Sequence, residues 1–269
     1  MTATVERRGV RIGRRHVEFA GGPAAYLDRG EGGVPLLLVH GFGGDALTWQ
    51  FNLMALAADR RVVAVDLPGH GESTMDAGTG EVAVLADWLA RLIDALGLGR
   101  VDLVGHSLGA RVALDLAARH RERARRLTLL ACAGLGSAVE IDFLRAMRGV
   151  RTMEAAGAAV DRLFGVPSPY RDSFAKALLA RMSDPASEAP LAAMLERTWE
   201  AVQARQGFDW SRLDAPAQLV WGTADGIVPP PAQGDLPPHL PVHLLPGVGH
   251  MPHVEAAGRV NALIKDFHS

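Results

Sequence analysis

The sequence predicts an α/β protein whose mostly parallel, doubly wound sheet is interrupted by one long helical block. Short apolar segments rich in Val and Leu alternate with helical segments in the first half of the chain, as in parallel sheets covered by helices on both faces. The alternation stops near Gly134, and only helical patterns follow over residues 141–206. Strand-like segments then return. We therefore expect a core of residues 1–134 and 211–269, with a helical cap of residues 135–210.

The individual elements follow from local patterns. Polar and apolar residues alternate over residues 10–19 and 24–28, around Gly21-Gly22-Pro23, which predicts two antiparallel strands. Buried parallel strands are predicted next, over residues 35–40, 62–66, 101–104 and 127–130. Helices are predicted over residues 82–96 and 108–119. The chain is expected to end with strands at 218–221 and 242–245 and a helix near 256–267.

Composition excludes several classes of function. The 269 residues include 28 Lys and Arg against 30 Asp and Glu, so no excess positive charge indicates a nucleic-acid partner. No segment has the roughly 18 apolar residues that a membrane span needs. Cys132 is the single cysteine, and no Cys/His cluster or nucleotide fingerprint is present. We expect a cytoplasmic protein with a small-molecule substrate and no metal or cofactor; the sequence gives no oligomeric state.

The motif Gly105-His106-Ser107-Leu108-Gly109 directly follows the third parallel strand and opens a helix. In this G-x-S-x-G arrangement the serine lies on a strained turn from strand to helix, with its hydroxyl exposed above the sheet. The motif therefore predicts Ser107 as a nucleophile. A serine hydroxyl is weakly nucleophilic at neutral pH, so it needs a base and an acid that orients the base.

An acid and a base follow the last two predicted strands. Asp225 comes after the first of them and His250 after the second, in the order Ser, Asp, His that this arrangement requires. Both loops lie where ligands bind in open α/β sheets. Asp225 could instead be a turn residue before Gly226, and His253 competes with His250. We predict the set Ser107, Asp225 and His250.

Two backbone amides complete the predicted site. His40-Gly41-Phe42-Gly43-Gly44 ends the first parallel strand and matches the loop that supplies one donor of an oxyanion hole. The residue after the nucleophile supplies the second donor. We therefore assign the backbone N–H groups of Phe42 and Leu108 to the oxyanion hole.

Taken together, the motifs of this chain resemble those of the α/β-hydrolase superfamily. They are HGFGGD at His40, DLPGHGES at Asp66, GHSLG at Gly105, WGTADGIVP at Trp221 and GVGHMPHVE at Gly247. The resemblance implies an eight-stranded, mostly parallel sheet with a helical cap after strand six. Residues 40–73 also resemble the hydrolase-like domain of the acetoin dehydrogenase acyltransferase component. That domain normally follows a lipoyl domain, for which this chain has no room, so we expect a free-standing hydrolase.

These observations predict a serine hydrolase that cleaves an ester or thioester of a small, largely apolar substrate through an acyl-enzyme. Dehalogenases and epoxide hydrolases of the superfamily have Asp at the nucleophile position, so Ser107 argues against both activities. Two alternatives remain open. One is hydrolysis of a carbon–carbon bond in a β-diketone-type substrate, and the other is a low-turnover ligand-binding or complex-associated protein.

Overall fold

The computed structural model describes residues 13–135, 139–204 and 207–269. The strands of this part of the chain are β1 (Arg15–Val17), β2 (Ala24–Arg29), β3 (Leu36–Val39), β4 (Val62–Val65), β5 (Val101–His106), β6 (Ala124–Leu130), β7 (Ala217–Gly222) and β8 (Val242–Leu245). They form one sheet in the order β1-β2-β4-β3-β5-β6-β7-β8. β2 pairs antiparallel with β1 and with β4, and every other pair is parallel. The predicted fold class is confirmed; residues 10–12 of the first predicted strand lie outside the described residues.

The α-helices of the described residues are α1 (Leu53–Leu56), α2 (Val82–Ala95), α3 (Leu108–Arg119), α4 (Ile141–Arg148), α5 (Met153–Asp161), α6 (Arg171–Ser183), α7 (Pro185–Ala204), α8 (Pro252–Glu255) and α9 (Ala257–His268). Short 3₁₀ helices span Ala46–Trp49, Arg121–Arg123, Trp210–Arg212 and Gln233–Asp235. Helices α4 to α7 lie between β6 and β7, and we refer to them as the helical insertion. The predicted closing helix is preceded by a separate turn of helix, α8, because the chain leaves helical geometry at Ala256. None of these helices is long and apolar enough to cross a bilayer.

The central strands are buried on both faces, which explains their unbroken apolar sequence. In β3, Leu37 and Val39 join a large apolar cluster with side chains of α2 and α3. Leu36 and Leu38, on the opposite face, join a second cluster that includes Trp49 and residues of α9. Alternate side chains of a strand point to opposite faces, so one apolar run fills both layers of the core.

The parallel strands bring the predicted site residues to one edge of the sheet. Phe42 follows β3, Ser107 follows β5, Asp225 follows β7 and His250 follows β8. All four positions come just after the carboxyl end of a strand. This is the edge at which open α/β sheets bind their ligands.

Candidate active site

Ser107 occupies a strained turn between β5 and α3. Its φ is +52° and its ψ is −114°, a combination that residues with a Cβ rarely adopt. Hydrogen bonds hold the turn in place: the Ser107 amide donates to the Leu130 carbonyl at 2.9 Å, and the Ser107 carbonyl accepts from the amides of Arg111 and Ala133. Such strain persists only where the surrounding structure fixes it, and it is concentrated at functional sites.

Two glycines of the motif are required by close packing of the backbone. A Cβ added to Gly105 would overlap the backbone of Gly109 and Ala110. A Cβ added to Gly109 would overlap the carbonyl groups of Val39 and His40. The first turn of α3 therefore lies directly against β3 and β5. This contact fixes the height at which Ser107 stands above the sheet.

Asp225 and His250 are in direct contact. Nδ1 of His250 lies 2.8 Å from Oδ2 of Asp225, and both residues are buried. The other carboxylate oxygen, Oδ1, accepts from the amides of Ile227 and Val228 at 2.9 Å each. An ionised carboxylate can only accept, so Nδ1 of the ring carries the proton and Nε2 is left free to receive one.

His253, the competing histidine, has a different environment. Its ring packs against the rings of Trp49 and His106, with centroid distances of 4.5 and 4.6 Å. Neither ring nitrogen has a hydrogen-bond partner within the described part of the chain, and burial lowers the pKa of His253 to about 3. His253 is therefore a neutral ring in the core without an acidic partner. Only His250 of the two contacts Asp225.

The amides of Phe42 and Leu108 are both available. Each residue lines the same cavity as Ser107, and neither amide donates a hydrogen bond to another described group. The amide of the next residue in the loop, Gly43, donates to Nε2 of His70 at 3.1 Å. The Phe42 and His70 rings meet edge to face at 5.9 Å. His70 therefore supports the loop that presents the Phe42 amide.

The buried histidines below the site are neutral donors and acceptors. Nδ1 of His70 contacts the Pro68 carbonyl at 3.0 Å, and burial lowers its pKa well below the ordinary value. Burial also lowers the pKa of His40, whose Nδ1 donates to the Gly41 carbonyl and whose Nε2 accepts from the Leu67 amide. His106 donates from Nε2 to the His250 carbonyl at 2.7 Å. These rings hold the loops around Ser107 and His250.

A cavity of about 310 Å³ lies at the predicted site. Ser107, His250, Phe42 and Leu108 all line it. The helical insertion contributes further apolar side chains to the lining, among them Phe143, Met147, Val160, Phe174 and Leu178. No hydrogen bond in the described residues joins the hydroxyl of Ser107 to the ring of His250. Such bonds are often long in proteins without substrate and shorten when substrate binds.

Sequence reasoning did not single out two charged side chains at this site. Arg181, on α6, donates to the Gly44 carbonyl and to Oδ2 of Asp45, at 2.9 Å each. Glu255, at the end of α8, accepts from backbone amides on both sides of His250. A glutamate five residues after the predicted base was visible in the sequence. Nothing local indicated the contacts of Arg181, which join residues 136 and 137 positions apart.

The described residues offer no metal site and no cysteine nucleophile. Across residues 13–135, 139–204 and 207–269, no group of three or more His, Cys, Asp and Glu side chains is placed to hold a metal ion. Cys132 is fully buried, and burial raises the pKa of its thiol to about 12. A thiol in that state is not a nucleophile at neutral pH.

Comparisons with known proteins agree with the resemblance found in the sequence. Residues 36–263 match the alpha/beta hydrolase family. The dihydrolipoyllysine-residue acetyltransferase component of the acetoin cleaving system of Pseudomonas putida is 36% identical over 88% of this chain. The predicted resemblance to that component is thereby confirmed over the hydrolase region. The chain spans only 64% of the length of this relative.

Two hydrolases match over nearly their whole length. The 2-hydroxymuconate semialdehyde hydrolase of Pseudomonas sp. strain CF600 is 29% identical over 95% of this chain and 93% of its own length. A solved structure of the meta-cleavage product hydrolase from Pseudomonas fluorescens IP01 superposes with a TM-score of 0.84 and 25% identity. It covers 95% of this chain and 97% of its own.

Proposed function

This chain belongs to the alpha/beta hydrolase family, and we propose that it is a serine hydrolase that cleaves a carboxylic ester or thioester of a small, largely apolar substrate. The observation that most supports this proposal is the 2.8 Å hydrogen bond between His250 and Asp225 beside a cavity lined by Ser107. It supplies a base, and an acid that orients that base, next to a serine on a strained turn.

In the first half-reaction, Oγ of Ser107 attacks the carbonyl carbon of the substrate while Nε2 of His250 takes the hydroxyl proton. Asp225 holds the ring with its proton on Nδ1 and stabilises the imidazolium that forms. The negative charge on the carbonyl oxygen is received by the amides of Phe42 and Leu108. His250 then gives its proton to the leaving alcohol or thiol as the bond to the acyl carbon breaks.

In the second half-reaction, water attacks the acyl group bound to Ser107. His250 takes a proton from the water, and the same two amides receive the charge on the carbonyl oxygen. Breakage of the acyl bond to Oγ releases the carboxylic acid and returns the proton to Ser107. The products are one acid and one alcohol or thiol, and the protein is unchanged.

The cavity supports the proposal that the acyl group of the substrate is small and largely apolar. Its volume of about 310 Å³ is at the lower end of pockets that hold small molecules. Apolar side chains of the helical insertion line one part of the cavity, which supports the proposal that residues 135–210 act as a cap over residues 1–134 and 211–269.

The test is kcat/KM over p-nitrophenyl esters from acetyl to dodecanoyl, measured on the native protein and on Ser107→Ala. We expect a maximum at one chain length that disappears in the variant, while the melting temperature stays near that of the native protein. Ser173→Ala changes another serine that lines the cavity and controls for a change in its polarity. Equal background rates in the native protein and Ser107→Ala would contradict the esterase function and favour carbon–carbon bond hydrolysis or ligand binding.

The second candidate is hydrolysis of a carbon–carbon bond in a β-diketone-type substrate. It is favoured by the match to 2-hydroxymuconate semialdehyde hydrolase, of which this chain spans 93%, against 64% for the acyltransferase component. This activity predicts release of a ketone and an acid, dependent on Ser107, with weak action on simple esters. Strong ester turnover without diketone cleavage would exclude it.

A further inference from the structure

The carboxylate of Glu255 binds three backbone amides from two separate segments. Oε1 accepts from Gly249 at 3.0 Å and from Met251 at 3.2 Å. Oε2 accepts from Gly165 at 2.8 Å and shares the Gly249 amide at 3.1 Å. Gly249 and Met251 are the neighbours of His250 on either side, so one side chain holds the backbone before and after the proposed base.

Three further backbone groups of this turn are also paired. The His250 amide donates to the Leu163 carbonyl at 2.8 Å, and the His250 carbonyl accepts from His106 at 2.7 Å. The Met251 carbonyl accepts from the amides of Val254 and Glu255 at 2.9 Å each. The turn is therefore fixed from several directions. Of the three amides of residues 249–251, Glu255 accepts hydrogen bonds from two.

The same carboxylate joins this turn to the helical insertion. Gly165 and Leu163 belong to the segment that follows α5. A Cβ added to Gly165 would overlap the carbonyl of Gly247, and one added to Gly249 would overlap the amide of Gly165. The backbones of the two segments are thus in direct contact, and Glu255 bridges them.

We infer that Glu255 is a positioning residue for His250: it sets the place of the ring between Asp225 and the Ser107 hydroxyl by holding the turn against the helical insertion. This inference rests on the proposed function. Displacing a reacting group by about 1 Å is enough to slow a reaction about a hundredfold. A partner that holds both neighbours of the base therefore affects the reaction rate without touching the substrate.

The chemistry of the side chain makes the inference testable. A carboxylate offers only acceptors, and all three of its partners are N–H donors. In Glu255→Gln, the amide NH₂ would face an N–H group, so at least one backbone amide loses its acceptor. Glu255→Asp keeps two acceptor oxygens but is shorter by one methylene. The matched control is Glu188→Gln on α7, because Glu188 is also partly buried and pairs only with Arg151 in the described residues.

The experiment measures the rate at which a fluorophosphonate probe modifies Ser107, kcat and KM with a p-nitrophenyl ester, and the low-field proton NMR signal of the His250 Nδ1–H. For Glu255→Gln we expect modification and kcat to fall about ten- to a hundredfold, KM to stay within about twofold, and the NMR signal to shift or broaden. The modification rate and kcat of Glu255→Asp should lie between those of Glu255→Gln and those of the native protein. Glu188→Gln should behave as the native protein.

Native rates and a native NMR signal in Glu255→Gln, with only a lower melting temperature, would overturn the inference and leave the proposed function intact. Absence of Ser107 modification in the native protein would overturn the proposed function instead, and the NMR signal would still decide the role of Glu255. If Glu255→Gln does not fold, the same measurements on Glu255→Asp decide the question.

Discussion

Asp225 divides its two carboxylate oxygens between different partners, and only Oδ2 contacts the ring of His250, at 2.8 Å from Nδ1. Oδ1 is occupied by the amides of Ile227 and Val228, which follow Asp225 in the same loop. The loop therefore fixes which oxygen meets the ring, and with it the direction of the carboxylate. A substitution that changes only one of the two oxygens therefore tests the contact with His250 separately from the contacts within the loop.

In Asp225→Asn, the amide oxygen can keep the two backbone donors while the NH₂ group replaces Oδ2. That group donates to Nδ1, so the ring proton moves to Nε2, which can no longer accept the proton of Ser107. We expect kcat to fall by about 10⁴-fold, the loss that the same change causes in a protease triad, with KM and melting temperature nearly unchanged. Steady-state kinetics on the preferred ester measures this. The control is Asp94→Asn, which changes an exposed carboxylate that pairs with Arg123. A kcat of Asp225→Asn within tenfold of the native value would contradict the proposed role of Asp225 in orienting His250.

His70 offers a second test, directed at the oxyanion loop. Its Nε2 accepts from the Gly43 amide at 3.1 Å, next to the free amide of Phe42. In His70→Phe this amide loses its acceptor, so we expect kcat to fall about tenfold or more while KM changes little. His70→Gln brings a carbonyl oxygen that can accept from Gly43, and it should recover part of the loss. Equal kcat values for the two variants would show that the hydrogen bond is not what matters.

The parallel strands were predictable because their sequences are short, mostly apolar runs, and the two antiparallel strands because polar and apolar residues alternate. The order of Ser107, Asp225 and His250 follows from the loops after the parallel strands. The four-residue helices α1 and α8 were not predicted, since a single turn shows no periodicity. The bridges of Arg181 to Gly44 and of Glu255 to Gly165 join residues 137 and 90 positions apart. Such contacts depend on how the helical insertion packs, which no local pattern encodes.

The packing of the serine turn predicts that alanine substitutions at two glycines have different effects on the free energy of unfolding. A Cβ at Gly109 would overlap two backbone carbonyls of β3 and its following loop, which cannot rotate away as a side chain could. We expect Gly109→Ala to lower the free energy of unfolding by about 2 kcal/mol or more. At Gly258, in α9, nothing lies within 4 Å of an added Cβ, so Gly258→Ala should leave stability unchanged or raise it by up to about 1 kcal/mol. Urea unfolding of both variants gives the comparison, and equal effects would contradict it.

The contacts of Asp102 predict how the stability of the protein depends on pH. Its buried carboxylate lies 2.9 Å from Arg60, 2.7 Å from Arg125 and 3.3 Å from Nδ1 of His268. Burial raises the pKa of Asp102, but the contacts with His268 and Arg125 lower it by more, to about 2, against 3.8 for an unperturbed carboxyl. Because the pKa is lower in the folded state, the carboxylate stabilises the fold above about pH 4, by about 2 kcal/mol. This contribution is lost as the pH falls from about 4 to about 2.

Urea unfolding at about pH 4.5 and about pH 2 measures the effect. Asp102→Asn has no carboxyl to titrate at this position, so it should lose about 2 kcal/mol less than the native protein over this interval. Asp214→Asn removes an exposed carboxylate paired with Arg121 and should keep nearly the native pH dependence, since exposed pairs contribute little. If the native protein and Asp102→Asn lost the same free energy, the buried contacts of Asp102 would not be a source of acid sensitivity.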